Sequence, residues 1–241
     1  MGIYDGGDPV EALPGGFTLE LPEGVFPLST DSMALAHFCA PKNGAKILDL
    51  GSGGGTLGLL LCASCPDCRI TGVEISERSH RAALENIRAN GLTGRMESIC
   101  ADAAQVPSLF PSGSFSCCVS NPPYFGGGPG SARNPEARRR GSLSMASLMA
   151  SAAWALKYGG DFFLVHRPEA LGEIIAQGAK AGLEAKRLRL LRHQEGGPVS
   201  LILVRLRKGA SPGLSWEEIS LYDASGDPTK IYREIYHISE V

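Results

Sequence analysis

Lys46-Ile47-Leu48-Asp49-Leu50-Gly51-Ser52-Gly53-Gly54-Gly55 is the stretch on which the fold turns. Its first half is a short apolar run broken by one carboxylate and stopped by glycines, the pattern of a buried strand. Residues 56–64 read on as a helix. Strand, glycine turn and helix make one βα unit. Glycines at such a turn let the backbone bend sharply and pass close to a nucleotide-like ligand. Gly53-x-Gly55-x-x-Gly58 satisfies the dinucleotide fingerprint, a weak match by itself.

The same alternation continues downstream. Arg69 to Glu74 reads as a second strand, and Ser76 caps a helix over about 77–90 that Gly91 stops. Residues 95–100 and 115–120 are further strands. A helix over about 142–157 buries Ala146, Met149, Ala150 and Ala153, spaced i, i+3, i+4, i+7. Gly159-Gly160 ends it, and Asp161 to His166 is a fifth strand. Pro168 suits the first turn of a helix that Gly182 closes. Strands over about 186–193 and 199–207, joined by Gly196-Gly197-Pro198, form an antiparallel pair. The predicted fold class is therefore α/β. It is a Rossmann-like, doubly wound, seven-stranded and mostly parallel sheet with an antiparallel hairpin at one edge. Upstream, residues 1–30 form an extension with a short strand or hairpin around Phe17 to Leu21. A helix over 31–40 ends at Pro41. The main domain spans 31–208, and residues 209–241 are a tail packed on it.

Composition sets the class. Of 241 residues 43% are hydrophobic and 20% charged, which supports a buried core and excludes a disordered chain. The apolar run Leu57 to Ala63 is too short for a membrane span. Met1 to Asp5 shows no basic-then-apolar leader, so a soluble, cytoplasmic protein is expected. The net charge is −2, unevenly spread: residues 1–120 carry 7 basic and 13 acidic side chains, the rest 16 and 12. Seven cysteines fit a reducing compartment. Cys62, Cys65 and Cys68 have part of an iron–sulfur spacing but lack the next ligand, and they are expected reduced and without metal. The five histidines show no ligand spacing, so no metal is expected.

Three carboxylates narrow the ligand. Glu74 ends the second strand, where it can accept hydrogen bonds from ribose hydroxyls. Asp102 follows the third strand and can accept from an adenine amino group. Ile75 and Ala103, their neighbours in the chain, join the same set. Asp49, beside Gly51, Ser52 and Gly53, would repel a pyrophosphate and suits a cation. S-adenosylmethionine has an ammonium, a sulfonium and no phosphate. Asn121-Pro122-Pro123-Tyr124 follows the fourth strand. An aromatic amine or an amide nitrogen is a poor nucleophile because its lone pair is delocalised. Two acceptors aimed at its hydrogens favour the pyramidal form. The Asn121 side chain and the Pro122 carbonyl can be those acceptors, held in place by consecutive prolines. Tyr124, with Phe125 next to it, offers a flat face to a planar substrate.

Asp49-Leu50-Gly51-Ser52-Gly53, Glu74, Asp102 and Asn121-Pro122-Pro123-Tyr124, in this order, resemble the class I S-adenosylmethionine-dependent N-methyltransferases. Thr30-Asp31-Ser32, Arg133-Asn134-Pro135 and His166-Arg167-Pro168-Glu169 are similar to one branch, the bacterial valine-tRNA adenine-N6 methyltransferases. The likeness runs from about Gly16 to Tyr236. It implies a tRNA partner, with Thr30 and Asp31 closing over the cofactor and Asn121 touching cofactor and substrate alike. It also implies that Arg133 and the Arg138-Arg139-Arg140 cluster lie at the substrate mouth. Read by themselves, those arginines either position phosphates or form a solvated face. Five other readings compete: a release-factor-type glutamine N-methyltransferase, an rRNA methyltransferase, a DNA methyltransferase, for which no separate target-recognition segment is visible, an NAD-dependent dehydrogenase, and a cofactor-binding scaffold without catalysis. Glutamine methyltransferases usually carry an N-terminal helical domain, for which residues 1–30 are too short. The protein is expected to be a monomer or a homodimer.

Overall fold

The computed structural model describes residues 10–123 and 143–238. Strand β3 (Lys46–Leu50) lies mid-sheet, and its alternate residues feed two separate cores. Ile47 joins the core on one face, while Leu48 and Leu50 join the other. Burial on both faces is why this strand reads as continuously apolar rather than alternating.

Around it the strands are β4 (Arg69–Glu74), β5 (Met96–Cys100), β6 (Phe115–Ser120), β7 (Leu156–His166), β8 (Leu183–Gln194), β9 (Val199–Lys208) and β10 (Ser215–Tyr222). The sheet order is β10-β8-β9-β7-β6-β3-β4-β5, and β9 alone runs against the others. One face is covered by α1 (Thr30–Cys39), α2 (Thr56–Ser64), α3 (Glu77–Ala89) and α7 (Lys230–Ile235). The other is covered by α4 (Val106–Leu109), α5 (Met145–Ala155) and α6 (Leu171–Lys180). This is the expected doubly wound, mostly parallel sheet. The chain leaves β3 toward β4 on one side and returns to β6 on the other, so the strand order switches at β3. A ligand crevice in such sheets opens at the carboxyl ends of the strands at that switch.

Four details correct the sequence reading. Helix α5 buries Met145, Leu148, Met149 and Ala152, whereas Ala146 and Ala150 are exposed. Among the described residues the sheet has eight strands, not seven, and the β8–β9 hairpin is not its edge. Strand β10 comes from residues 215–222 of the tail and pairs with β8 in parallel. Glu217 secures it by accepting from Arg189 Nε at 2.9 Å and Arg187 Nη2 at 2.6 Å. Strand β7 also starts five residues early, at Leu156, and bulges opposite β6. Gly159 serves that irregularity with φ 74°.

The N-terminal hairpin is present as β1 (Val10–Ala12) and β2 (Thr18–Glu20). Two amides one turn apart, Asn86 on α3 and Asn90 just past its end, hold it as a strand partner would. Asn90 exchanges hydrogen bonds with the backbone of Thr18, and Asn86 does the same with Glu20. Asn86 Nδ2 also reaches the carbonyl of Gly54 at 3.1 Å. Leu21, just beyond β2, packs so close to Gly54 that an added Cβ would meet it at 2.3 Å.

The cysteine run corrects a further expectation. Cys65 and Cys68 are joined by a disulfide, with Cα atoms 5.5 Å apart. The extended backbone of Cys65 ends α2 and turns the chain, and the Cys68 N–H donates to the Cys65 carbonyl, bringing the sulfurs together. Cys62 stays free and buried. Among the described residues no helix is long and apolar enough to cross a membrane, and no group of three or more side chains could hold a metal ion.

Candidate functional site

The glycine turn after β3 is built by backbone strain that only glycine relieves. Gly51, Gly53 and Gly55 have φ of 75°, 56° and 88°. Gly51 and Gly53 face open space. The turn is sewn to the end of β4, since the N–H groups of Gly51 and Ser52 donate to the Val73 carbonyl. Glu74, the next residue, accepts from Gly53 N at 2.9 Å through Oε2 and from Ser76 N at 2.7 Å through Oε1. Each oxygen keeps a lone pair for a further donor.

Asp49 is 1% exposed, and its Oδ2 has no hydrogen-bond partner among the described residues. Burial, reinforced by the negative charge of Glu74, pushes its carboxyl up to about 7. The hydroxyl of Ser52 is likewise buried and unpartnered. Gly72 on β4 makes room for it, because a Cβ there would lie 2.6 Å from Ser52 Oγ. A buried carboxylate without a partner is costly, and a cation relieves it.

Strand β5 lies beside β4, and the Ala101 N–H donates to the Glu74 carbonyl. Asp102 follows at once, its Oδ1 accepting from Ala104 N at 2.8 Å. Ala103 is buried against it, and Ile75 stands 47% exposed beside Glu74.

On the other side of β3, the fully buried Ser120 donates from Oγ to the Leu50 carbonyl at 2.7 Å. The β3–β6 pairing aligns Asp49 with Val119, which brings Asn121 alongside the glycine turn. Asn121 Nδ2 donates to Ser32 Oγ at 3.1 Å. Ser32 belongs to the first turn of α1, where Ser29 caps the helix and Thr30 meets Tyr236 Oη at 2.8 Å. Burial pushes the Asp31 carboxyl up against the opposing pull of Arg167, which follows β7. The structure thus places Asp49, Gly51, Ser52, Gly53, Glu74, Ile75, Asp102, Ala103, Asn121, Pro122 and Pro123 at or just beyond the carboxyl ends of β3, β4, β5 and β6, with Thr30 and Asp31 opening the helix that Asn121 meets. Tyr124, Phe125, Arg133 and Arg138 lie outside the described residues.

The donor set fits S-adenosylmethionine. The unpartnered Asp49 Oδ2 and Ser52 Oγ suit its amino-acid end, and the lone pairs of Glu74 suit its ribose. Sequence reasoning gave Ser32 no individual role and passed over Ser120 and Asn86. No local pattern marks them, because each acts on a partner at least 32 residues away.

The family model of the methyltransferase small domain matches residues 23–176. The chain belongs to this family. Among curated relatives of this methyltransferase, a tRNA1(Val) (adenine(37)-N6)-methyltransferase of Aeromonas hydrophila is 30% identical over 212 residues, covering 86% of this chain and 87% of its own. One of the same description from Bacteroides fragilis is 27% identical over 215 residues, covering 87% and 90%. Among solved structures, a predicted O-methyltransferase of Agrobacterium tumefaciens superposes with TM-score 0.73 at 22% identity, covering 86% of this methyltransferase and 96% of that chain. The Thermus thermophilus 16S rRNA N2 G1207 methyltransferase, solved with AdoMet and guanosine, superposes with TM-score 0.59 at 20% identity, covering 83% and 49%. These two likenesses concern the fold. Membership of a methyltransferase family sets aside the dehydrogenase reading of the glycine turn.

Proposed function

We propose that this methyltransferase moves the methyl group of S-adenosylmethionine to the exocyclic N6 amine of an adenine in tRNA, in the cytoplasm. The observation that carries this reading is a juxtaposition. A buried carboxylate whose Oδ2 has no partner among the described residues (Asp49) stands at the glycine turn, and an amide–proline turn (Asn121-Pro122) stands one strand away. The descriptions of the curated relatives support the choice of tRNA and of adenine.

Each residue then has a task. Asp49, Gly51, Ser52 and Gly53 hold the methionine end of the cofactor, Glu74 the ribose, and Asp102 the adenine amino group, with Ile75 and Ala103 flanking that ring. Thr30 and Asp31 close over it. S-adenosylmethionine supplies an electrophilic methyl group when bound. Asn121 Oδ1 and the Pro122 carbonyl accept the two N–H bonds of the target amine and stabilise the positive charge that grows on its nitrogen. Pro123 fixes the backbone of the turn. Tyr124 and Phe125 present faces to the base, and Arg133 and Arg138 meet phosphates. The product amine loses its proton to water.

Labelled S-adenosylmethionine and an unmodified valine tRNA transcript test this. Label should appear as N6-methyladenosine beside the anticodon and vanish when adenine 37 is replaced by guanine. Label in a protein glutamine or in rRNA, with none in the transcript, would overturn the reading.

A further inference from the structure

We infer that Ser32 is a positioning residue for methyl transfer. It holds the Asn121 side chain in place from outside the turn, so that the amide oxygen meets the acceptor amine. This rests on the role proposed above for Asn121.

A primary amide has two ends of nearly equal shape and opposite function. The oxygen accepts from an amine N–H. The NH2 group, turned the same way, would point donors at donors and contribute nothing. A turn that fixes only the backbone of Asn121 leaves its side-chain torsions free. In the structure the side chain is fixed from outside the turn: Asn121 Nδ2 donates to Ser32 Oγ at 3.1 Å, with the oxygen left for substrate.

Ser32 can hold that position because it is itself held. It is 4% exposed in the first turn of α1. Its own N–H donates to the Ser29 hydroxyl that caps the helix. Two residues earlier, Thr30 is tied to Tyr236 of the tail at 2.8 Å. His37, at the far end of α1, meets Glu234 of α7 at 3.7 Å. The helix that carries Ser32 is therefore braced at both ends by one C-terminal element. Aligning the amide beforehand removes reorganisation from the moment of reaction, which is where a transition-state acceptor gains its effect.

The test is single-turnover methylation of the valine tRNA transcript, with calorimetry for the cofactor. Ser32→Ala should slow methyl transfer by about 3–10-fold, the equivalent of one neutral hydrogen bond. Cofactor affinity and melting temperature should hold. Ser32→Thr keeps the hydroxyl and should recover most of the rate. The Ser32→Ala/Asn121→Ala double variant should be no slower than Asn121→Ala, because Ser32 acts only through that amide. Four results would overturn the inference: a wild-type rate in Ser32→Ala, a loss that Thr does not restore, weaker cofactor binding that accounts for the slower rate, or additive losses in the double variant. A slow Asn121→Ala beside a normal Ser32→Ala would remove Ser32 and leave Asn121 in place. A normal Asn121→Ala would remove both.

Discussion

Asp49 is a carboxylate that the ligand-free fold would rather keep protonated. Its ordinary value of 3.8 is raised to about 7 by burial and by Glu74. Between those two values the folded state holds a proton that the unfolded chain has released. Stability of the ligand-free protein should therefore fall as pH rises through that window, by up to about 1.4 kcal/mol per pH unit, and level off above 7. Denaturant melts from pH 4.5 to 8 measure this slope, and Asp49→Asn should flatten it. An ammonium group needs the ionised carboxylate. Cofactor affinity should therefore rise toward pH 7, by at most about tenfold per unit, and lose that dependence in Asp49→Asn. A slope that survives in the Asn variant would place the titration elsewhere. Asn121 makes a different demand. Its acceptor strengthens only as the amine nitrogen becomes positive, so Asn121→Ala should lower kcat by about 10²–10³ with cofactor affinity unchanged. A wild-type single-turnover rate would return it to a strand-exit residue. Asp49, Glu74 and the Asn121-Pro122 turn were legible in the sequence because each sits in a short segment of distinctive chemistry. Ser32 was not, because its partner lies 89 residues away.

Elements of this protein are joined by a few side chains that stand in for backbone. Asn86 is the clearest, serving Glu20 of β2 and Gly54 of the glycine turn from one helix position. Asn86→Ala strands backbone groups in a buried place and should cost about 1–3 kcal/mol. Amide exchange should quicken in residues 18–21 and 53–55 together. Faster exchange in only one of those segments would show that Asn86 does not couple them. The disulfide at the end of α2 closes a very short loop, for which the chain-entropy model gives only about 2 kcal/mol. Reduction should thus lower the melting temperature modestly and leave the fold intact, and alkylation before and after reductant should report two extra thiols. Most strands and helices were readable to within a few residues, since apolar runs and glycine stops coincide with their ends. Strand β10 was not. Its adjacent Glu217 and Glu218 interrupt the apolar alternation, and only the arginines of β8 explain why two carboxylates belong there.

The whole molecule is closed by its tail. Removing residues after Lys208 would take away β10 and α7, uncover the edge of β8, and expose the core that Leu221 and Ile235 complete. Such a truncation should lower the melting temperature markedly and weaken cofactor binding, since α1 loses its brace. Undiminished cofactor affinity in the shortened protein would show that α1 stands without the tail. The doubly wound plan was visible in the order of runs and breaks, whereas the closure was not, because it depends on pairs far apart in the chain. The tie between Thr30 and Tyr236 spans 206 residues, and that separation sets an order of events. Strands β3 to β6 and their helices meet neighbours much nearer in sequence and can condense earlier, whereas so long a loop closes only after the sheet has grown to its far edge. The start of α1, which we propose closes over the cofactor, is then the last part of the molecule to mature. S-adenosylmethionine present during refolding should leave the appearance of the sheet unhurried and act only on the final step, as a latch on a structure already assembled.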